Sequence, residues 1–249
     1  MKVLVTGGGT IAPIDDVRYI ANVSSGRFSA AISEACLALG ARVWHVHAPS
    51  ALLPFERSAR FDLNTDDPDA EFNRIRELHA DYLSLKSRLQ LVSIKPGRVT
   101  DYVRAMKRVL TTERIDVAFL AMAVSDYEPT PVAGKIDSSG DQLWIACEKS
   151  RKVIRSVKDW APYVYLAGFK LMSGVETPKL IRNAEQACRV NRADVTVANE
   201  LSNLREGRHT VHLVRPGHAP ETFGPSAEMA ALMVKRVFEL ASEKQRQSQ

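Results

Sequence analysis

The sequence predicts an α/β protein, a three-layer sandwich in which helices cover both faces of a mostly parallel sheet. Two observations support this prediction. Segments of strand and helix character alternate along the chain, and the first is a short β-branched run that enters the glycine turn Gly7-Gly8-Gly9. Parallel strands need crossover connections, and helices packed on the two faces provide them.

The first half of the chain carries clear local signals. The β-branched run at 1–6 predicts a buried strand. Apolar residues at helical spacing predict a helix over 27–39, and Gly40 gives it a C-terminal stop. The predicted elements that follow are a strand at 42–47, a polar helix at 69–86, a strand at 89–94, a helix at 100–111 and the strongest strand at 116–122.

The second half opens with an irregular segment, 124–140, whose prolines, glycines and polar residues fit neither periodicity. We predict that this loop takes part in the chemistry. The later predicted elements are a strand at 143–147, a short helix at 151–157, a strand at 163–169, a helix at 178–190, a strand at 194–198, an edge strand at 210–215 and a closing helix at 226–242.

The composition, with 45% apolar and 25% charged residues, is that of a globular protein with a sizeable core. At 249 residues the chain is predicted to form a single domain over 1–249. Because no apolar run reaches the roughly 20 residues that span a bilayer and no secretion leader opens the chain, we predict a cytoplasmic protein without membrane contact. Three scattered cysteines without a CxxC pair fit a reducing compartment.

The charge balance is modestly basic, with 34 Lys and Arg against 29 Asp and Glu. These residues are spread along the chain without a basic block or an RNA-binding motif, which argues against nucleic acid as a partner. An enzyme that handles polyanionic phosphates shows the same balance.

The turn after the first strand, with Gly8, Gly9 and Thr10, is a candidate phosphate site because bare backbone amides can approach an anion there. The structural alternative is a tight turn that simply needs glycine. The spacing is not that of a P-loop, and no lysine stands where a P-loop requires it.

A second candidate lies directly before the first helix, at Ser24, Ser25, Gly26 and Arg27. A serine there can cap the helix, and the same hydroxyls and free amides can form an anion cradle at the positive end of the helix dipole. The neighbouring Asn22 offers both a donor and an acceptor, which suits a neutral acyl oxygen.

Two further candidates follow the strongest strand. Asp126 stands at a strand's carboxyl end, where ligands bind in open α/β sheets, although a turn or helix-cap aspartate is the alternative. Lys135 follows Gly134 in the irregular loop. It is either a solvated surface charge or a mobile cation that neutralises a departing pyrophosphate.

Two other patterns carry no function in our interpretation. Tyr82 and Lys86 have the spacing of short-chain dehydrogenases but lie in a charged helix without the expected upstream serine. His45 and His47 share one face of a strand, but two ligands without a third make no convincing metal site, so we predict packed or half-exposed sheet residues.

Taken together, these motifs resemble those of the phosphopantothenate–cysteine ligases, also called phosphopantothenoylcysteine synthetases. They occur in the family's order over nearly the whole chain, at 6–10, 13–20, 22–26, 123–127, 135–136 and 198–199. The segments 135–140, 157–162 and 169–171 resemble the monofunctional, eukaryotic-type branch. One position departs, because the family usually places a further glycine where this chain has Ser29, so helix packing near the cradle is expected to differ.

The resemblance implies a Rossmann-like homodimer that uses Mg²⁺ and ATP or CTP to join 4′-phosphopantothenate to cysteine through an acyl-nucleotidylate, in coenzyme A biosynthesis. It implies that Asn22 holds the acyl group and that Lys135, on a flexible active-site loop, contacts phosphate. The other implied site residues are the phosphate cradle Ser24, Ser25 and Gly26, the nucleotide- or phosphate-binding Gly8, Gly9, Thr10 and Lys170, the pantothenate wall Ala123, and the nucleoside pocket Asp126 and Phe169. Metal ligands are not identified.

Two other functions fit the fold class. A nicotinamide-dependent oxidoreductase needs an acidic residue after the second strand to hold the ribose, and His47-Ala48-Pro49 offers none. A non-catalytic nucleotide-binding scaffold has no need of an acyl-holding amide such as Asn22 beside a mobile lysine such as Lys135.

Overall fold

A computed structural model describes residues 1–205 and 208–247, with backbone alone for Leu204 and Arg205. Residues 206–207 and 248–249, which belong to the predicted domain, lie outside the described residues. The strands are β1 (Lys2–Gly7), β2 (Ile11–Pro13), β3 (Tyr19–Ala21), β4 (Arg42–His47), β5 (Leu89–Ser93), β6 (Val117–Leu120), β7 (Tyr127–Pro129), β8 (Cys147–Lys149), β9 (Tyr165–Met172), β10 (Val195–Glu200), β11 (Val211–Val214) and β12 (Glu221–Phe223). The helices are α1 (Arg27–Ala38), α2 (Pro68–Leu85), α3 (Val99–Thr112), α4 (Val157–Trp160), α5 (Thr177–Asn191), α6 (Leu201–Arg205) and α7 (Met229–Gln247).

The central sheet has eight strands in the order β12-β11-β10-β9-β6-β1-β4-β5. The six strands from β10 to β5 pair in parallel, whereas β11 and β12 pair antiparallel, so the mostly parallel sheet is confirmed. The strand predicted at 210–215 is present as β11, but its predicted place at the edge of the sheet is wrong, because β12 pairs with its outer side. With three residues, β12 is too short to show a period in the sequence.

Both faces of this sheet are covered, which confirms the three layers. Val3 and Val5 belong to a core cluster with residues of α1 and α7, whereas Leu4 packs with residues of α3 on the other face. Neighbouring strand residues point to opposite faces, so a strand that is apolar at every position needs cover on both. Residues Val3 to Thr6 are all fully buried.

Two short hairpins stand outside the sheet, and the sequence patterns predicted neither. β2 pairs with β3 and β7 pairs with β8, and β2 lies beside β7. The predicted strand at 143–147 is wrong, because the strand begins only at Cys147 and the apolar residues before it are exposed. The predicted short helix at 151–157 is a 3₁₀ turn, Val153–Ser156, that runs into α4.

α2 confirms the predicted polar helix and contributes no buried residue to the core. It begins at Asp67, whose side-chain oxygen accepts a hydrogen bond of 2.9 Å from the amide of Ala70, an N-cap that satisfies one of the free amides of the first turn. No helix in the described part of the chain has the length and the apolar character to cross a membrane.

The topology places a crevice at the carboxyl ends of β1 and β6. From β1 the chain moves outward through β4 to β5, and it then returns to the other side of β1 as β6. Ligands in open α/β sheets bind at such a reversal of strand order. A ligand site is therefore expected between the segments that follow β1 and β6.

Candidate active site

A cavity of about 1100 Å³ opens at this carboxyl edge. Its wall is built from the start of α1, the segment that follows β6, residues 151–155, the ends of β9 and β10, one side of α5, His209 and residues 226–230. The cavity thus joins parts of the chain that are separated by up to about two hundred residues in sequence.

The glycine turn pairs with the segment after β6, but Gly8, Gly9 and Thr10 do not themselves line the cavity. The Ala123 amide donates to the carbonyl of Gly8 at 2.9 Å, and the Thr10 amide donates to the carbonyl of Ala123 at 3.0 Å. The Thr10 hydroxyl accepts a 3.0 Å bond from the amide of Ser125 and is fully buried. Thr10 therefore stabilises the segment that carries Ala123 and Asp126.

Gly9 is required by close packing against the loop that carries Asn22. A Cβ atom on Gly9 would lie 2.5 Å from the backbone oxygen of Asn22, closer than atoms pack. Close packing therefore explains this glycine without a ligand, and the backbone of Asn22 lies directly against the end of the glycine turn.

α1 starts at Gly26 in a left-handed conformation, with φ at 76° and no side-chain cap. Neither Ser24 nor Ser25 caps the helix, so the capping alternative is wrong; Ser25 Oγ accepts only a long 3.4 Å bond from the amide of Arg27. Both serines line the cavity beside the uncapped helix end, an arrangement that attracts anions.

Ser29, at the position where the resemblance leads us to expect a glycine, is buried in the first turn of α1 and donates a 2.7 Å hydrogen bond to the carbonyl of Gly26. Its side chain fills the space beside Gly7. A Cβ on Gly7 would lie 1.9 Å from Ser29 Oγ and 2.7 Å from Ser29 Cβ. The Ser29 side chain therefore fits only because Gly7 has no side chain.

The charged side chains of the cavity are strongly unbalanced, with six cations against the single carboxylate of Asp126, which favours a polyanionic ligand. Lys152 forms an ion pair with Asp126, and Arg57 with Glu34. Arg27 and Lys170 form no ion pair with any carboxylate of the described residues. The cations are Arg27, Arg57, Arg151, Lys152, Arg155 and Lys170.

Aromatic rings form another part of the wall. Phe169, near the end of β9, packs edge-on against Phe28 of α1 with 6.0 Å between ring centroids, and Phe28 packs edge-on against His209 at 4.6 Å. Burial lowers the pKa of His209, so its ring is neutral at pH 7. The sequence interpretation missed His209 and Phe28, because neither lies in a recognisable motif.

Asn22 and Lys135 do not belong to the set of residues that line the cavity. Both are exposed. Asn22 follows β3, and Lys135 lies in the loop between β7 and β8. Of the other predicted site residues, the structure brings Ser24, Ser25, Gly26, Ala123, Asp126, Phe169 and Lys170 to the wall.

The backbone on both sides of Lys135 is tied to the β2–β3 hairpin. The Gly134 amide donates to Asp16 Oδ2 at 3.1 Å and its carbonyl accepts from the Asp16 amide at 3.0 Å. The Ile136 amide donates to Asp15 Oδ2 at 3.1 Å, and Arg18 Nη2 donates to the Ile136 carbonyl at 2.6 Å. We call these contacts the hairpin clamp.

Asp15 is the centre of the hairpin clamp. Its side chain is fully buried and forms an ion pair with Arg18, with 2.9 Å between the charged atoms. Burial alone would raise the pKa of Asp15. The hydrogen bonds from the amides of Val17, Ile136 and Arg18, together with the positive charge of Arg18, outweigh burial, so the pKa is lowered. The carboxylate is therefore ionised at neutral pH.

The two histidines of β4 are sheet residues, as predicted. His45 is fully buried, with Nδ1 2.7 Å from Ser33 Oγ, and burial with the nearby His47 lowers its pKa to about 3. The described residues contain no group of three or more His, Cys, Asp or Glu side chains that could hold a metal ion.

The sequence matches the family described as "DNA/pantothenate metabolism flavoprotein C-terminal domain" over residues 1–68 and 86–240. The chain belongs to this family. Nearly all of α2 lies in the gap between the two matched ranges.

Named relatives agree with this assignment. The chain is 29% identical to the coenzyme A biosynthesis bifunctional protein CoaBC of Thermococcus kodakarensis, over 86% of this chain and 44% of that protein. It is 31% identical to phosphopantothenate–cysteine ligase 1 of rice, Oryza sativa subsp. japonica, over 81% of this chain and 69% of that protein. The chain thus spans less than half of the bifunctional relative and about two thirds of the rice ligase.

A solved structure shares the fold. The DNA/pantothenate metabolism flavoprotein from Streptococcus pneumoniae superposes with a TM-score of 0.76 at 26% identity, covering 96% of this chain and 99% of that one.

Proposed function

We propose that this protein is a phosphopantothenate–cysteine ligase of coenzyme A biosynthesis. The observation that carries the proposal is the cationic cavity at the reversal point of the sheet, walled by the residues that the sequence motifs single out. The names of the relatives, among them the rice ligase, support the same activity.

The reaction has two steps. A carboxylate oxygen of 4′-phosphopantothenate attacks the α-phosphorus of a nucleoside triphosphate, and the bond to the leaving pyrophosphate breaks. The cysteine amine then attacks the acyl carbon, loses a proton, and releases the nucleoside monophosphate. Neither step needs a nucleophilic side chain, so charge stabilisation and positioning are the protein's main contributions.

The proposed roles follow the charges of the wall. Ser24, Ser25 and Gly26, at the positive end of α1, hold phosphate oxygens, and Lys170 adds a cation without a described carboxylate partner. Phe169 contacts the nucleoside. Ala123 presents its methyl group to the pantothenate chain.

Asp126, which the resemblance places in the nucleoside pocket, is the one carboxylate among the described residues of the wall. Mg²⁺ is usually held by one or two carboxylates together with substrate phosphates, so Asp126 is also the residue that would hold it here. When bound, the ion would neutralise charge on the phosphates, and Asp126 would have to leave its ion pair with Lys152.

Asn22 and Lys135 complete the site from the hairpin side. Asn22 orients the acyl group with its neutral amide, and Lys135 approaches the pyrophosphate as it leaves. The nucleotide is ATP or CTP. A cytoplasmic location fits the three cysteines, none of which forms a disulfide.

The function is tested by incubating the protein with 4′-phosphopantothenate, cysteine, Mg²⁺ and ATP or CTP. We expect pyrophosphate and nucleoside monophosphate in equal amounts, with pyrophosphate release dependent on phosphopantothenate. Orthophosphate with a nucleoside diphosphate would exclude the acyl-nucleotidylate route. Hydride transfer is not expected, since no carboxylate directly follows β4 to hold a nicotinamide ribose.

We also propose that the protein is a homodimer. Large apolar side chains are exposed on the two hairpins and the loop between β7 and β8, and exposed apolar surface of this kind usually marks an interface. They include Val17, Tyr19, Val23, Tyr127, Val132, Leu143 and Trp144.

Light scattering at micromolar concentration is expected to give twice the chain mass. Trp144→Ser should shift the protein towards monomer, because it removes a large apolar side chain from this surface. Leu63→Ser is the matched control, since Leu63 and Trp144 are both 89% exposed and Leu63 lies far from the hairpins in sequence. A wild-type monomer with full activity would refute the dimer.

A further inference from the structure

His209 occupies a defined place in the cavity wall. It directly precedes the β11 region, lines the cavity, and packs edge-on against Phe28 with 4.6 Å between ring centroids. Its backbone lies close to Gly224, where a Cβ would be 2.4 Å from the His209 carbonyl oxygen. Phe28 thus contacts the ring, and Gly224 lies against the backbone.

The polar atoms of this ring lack partners. Nε2 is enclosed without a hydrogen bond, and no described hydrogen bond involves Nδ1, which is the accessible ring nitrogen. Polar atoms of folded proteins are usually hydrogen-bonded, so the accessible Nδ1 without a described partner is a candidate for contact with a ligand. Because burial lowers its pKa, the neutral ring carries one donor and one acceptor.

The described ring contacts of His209 are aromatic. Phe28 packs edge-on against it, and Phe169 packs edge-on against Phe28. The same cavity wall carries the six cations named above. A nucleoside triphosphate likewise combines a neutral aromatic base with a charged phosphate part.

We propose that His209 determines which nucleobase the enzyme accepts, by a hydrogen bond from its imidazole to the edge of the base beside Phe28 and Phe169. The inference rests on the proposed function. It assigns the selection between ATP and CTP to a residue that lies outside every sequence motif.

The test measures binding of ATP, CTP, GTP and UTP by calorimetry, and kcat/KM for each with phosphopantothenate and cysteine. His209→Ala is expected to reduce the ratio between the best and the worst triphosphate about tenfold, because a lost hydrogen bond to a base is worth about 1 kcal/mol or more. His209→Asn, which places an amide near the position of Nδ1, should restore part of the ratio, whereas His209→Phe should keep the packing but not the discrimination.

His212→Ala is the matched control. His212 lies in β11, three residues after His209, and its Nδ1 is already 2.9 Å from Thr222 Oγ1, so all four affinities should keep their ratios. Equal weakening of all four triphosphates in His209→Ala, with the melting temperature unchanged, would overturn the inference. Because binding is measured without turnover, a wild type that binds triphosphates selectively but makes no product refutes the ligase function alone.

Discussion

Replacing Lys135 by glutamine is expected to reduce pyrophosphate release by about 100-fold to 1000-fold, the usual cost of one positioned charge-stabilising group. Lys135 is the cation of the loop between β7 and β8, whose backbone the hairpin clamp holds on both sides of this residue. In the proposed reaction, Lys135 stabilises the negative charge that is shed when the acyl-nucleotidylate forms. Rapid-quench measurements with labelled triphosphate give the rate of that first half-reaction directly. Lys107→Gln, at an exposed position of α3, is the control and should leave the rate unchanged.

Asn22→Asp should affect the other half-reaction. The intermediate is expected to form but to persist, because a negative charge next to the activated acyl group disturbs its orientation for attack by the cysteine amine. Asn73→Asp, the same change on the exposed helix α2, is the control. Equal loss of both half-reactions in the Lys135 and Asn22 variants, with the fold intact, would show that these two roles are assigned wrongly.

The second large effect concerns stability. Gly7→Ala is expected to destabilise the protein by about 3 kcal/mol, the upper end of the usual cost of overpacking a core. Rotation of the Ser29 hydroxyl cannot relieve the clash, since the new Cβ would also lie 2.7 Å from Ser29 Cβ, which is fixed by the helix backbone. For a chain of this size the melting temperature should fall by about 6–12 °C.

A double-mutant cycle tests the cause. Ser29→Gly removes both clashing atoms and should return Gly7→Ala to the stability of Ser29→Gly alone, whereas Ser29→Ala keeps Cβ and should rescue only part of the loss. The coupling energy is expected to be about 2 kcal/mol or more, as for residues in direct contact. Additive effects would mean that the strain of Gly7→Ala lies elsewhere.

Features with a local cause were predictable from the sequence. The β-branched run of β1, the stop of α1 near Gly40 and the place of Asp126 after a buried strand all depend on neighbours within a few residues. The same holds for Ser24, Ser25, Phe169 and Lys170, which motifs identified and the fold brings to one wall.

The rest depends on contacts between distant parts of the chain. The Ile136 amide donates a hydrogen bond to Asp15, which is 121 residues away in sequence, and a local hydrophobic period cannot predict such a pair. The hairpins have strands of three residues, too short for a pattern. His209 acquires its environment only when β11 brings it to Phe28 of α1.

The hairpin clamp also limits how the candidate site can be altered. Residues 132–136 form five hydrogen bonds with residues 14–18, and the ion pair between Asp15 and Arg18 supports two of the side chains involved. A loop taken from a relative would lack these hydrogen-bond partners, whereas loop and hairpin exchanged together would keep them. A movement of the Lys135 backbone would either carry the hairpin along or break these bonds, so the positions of the two proposed site residues, Lys135 and Asn22, are coupled through the hairpin.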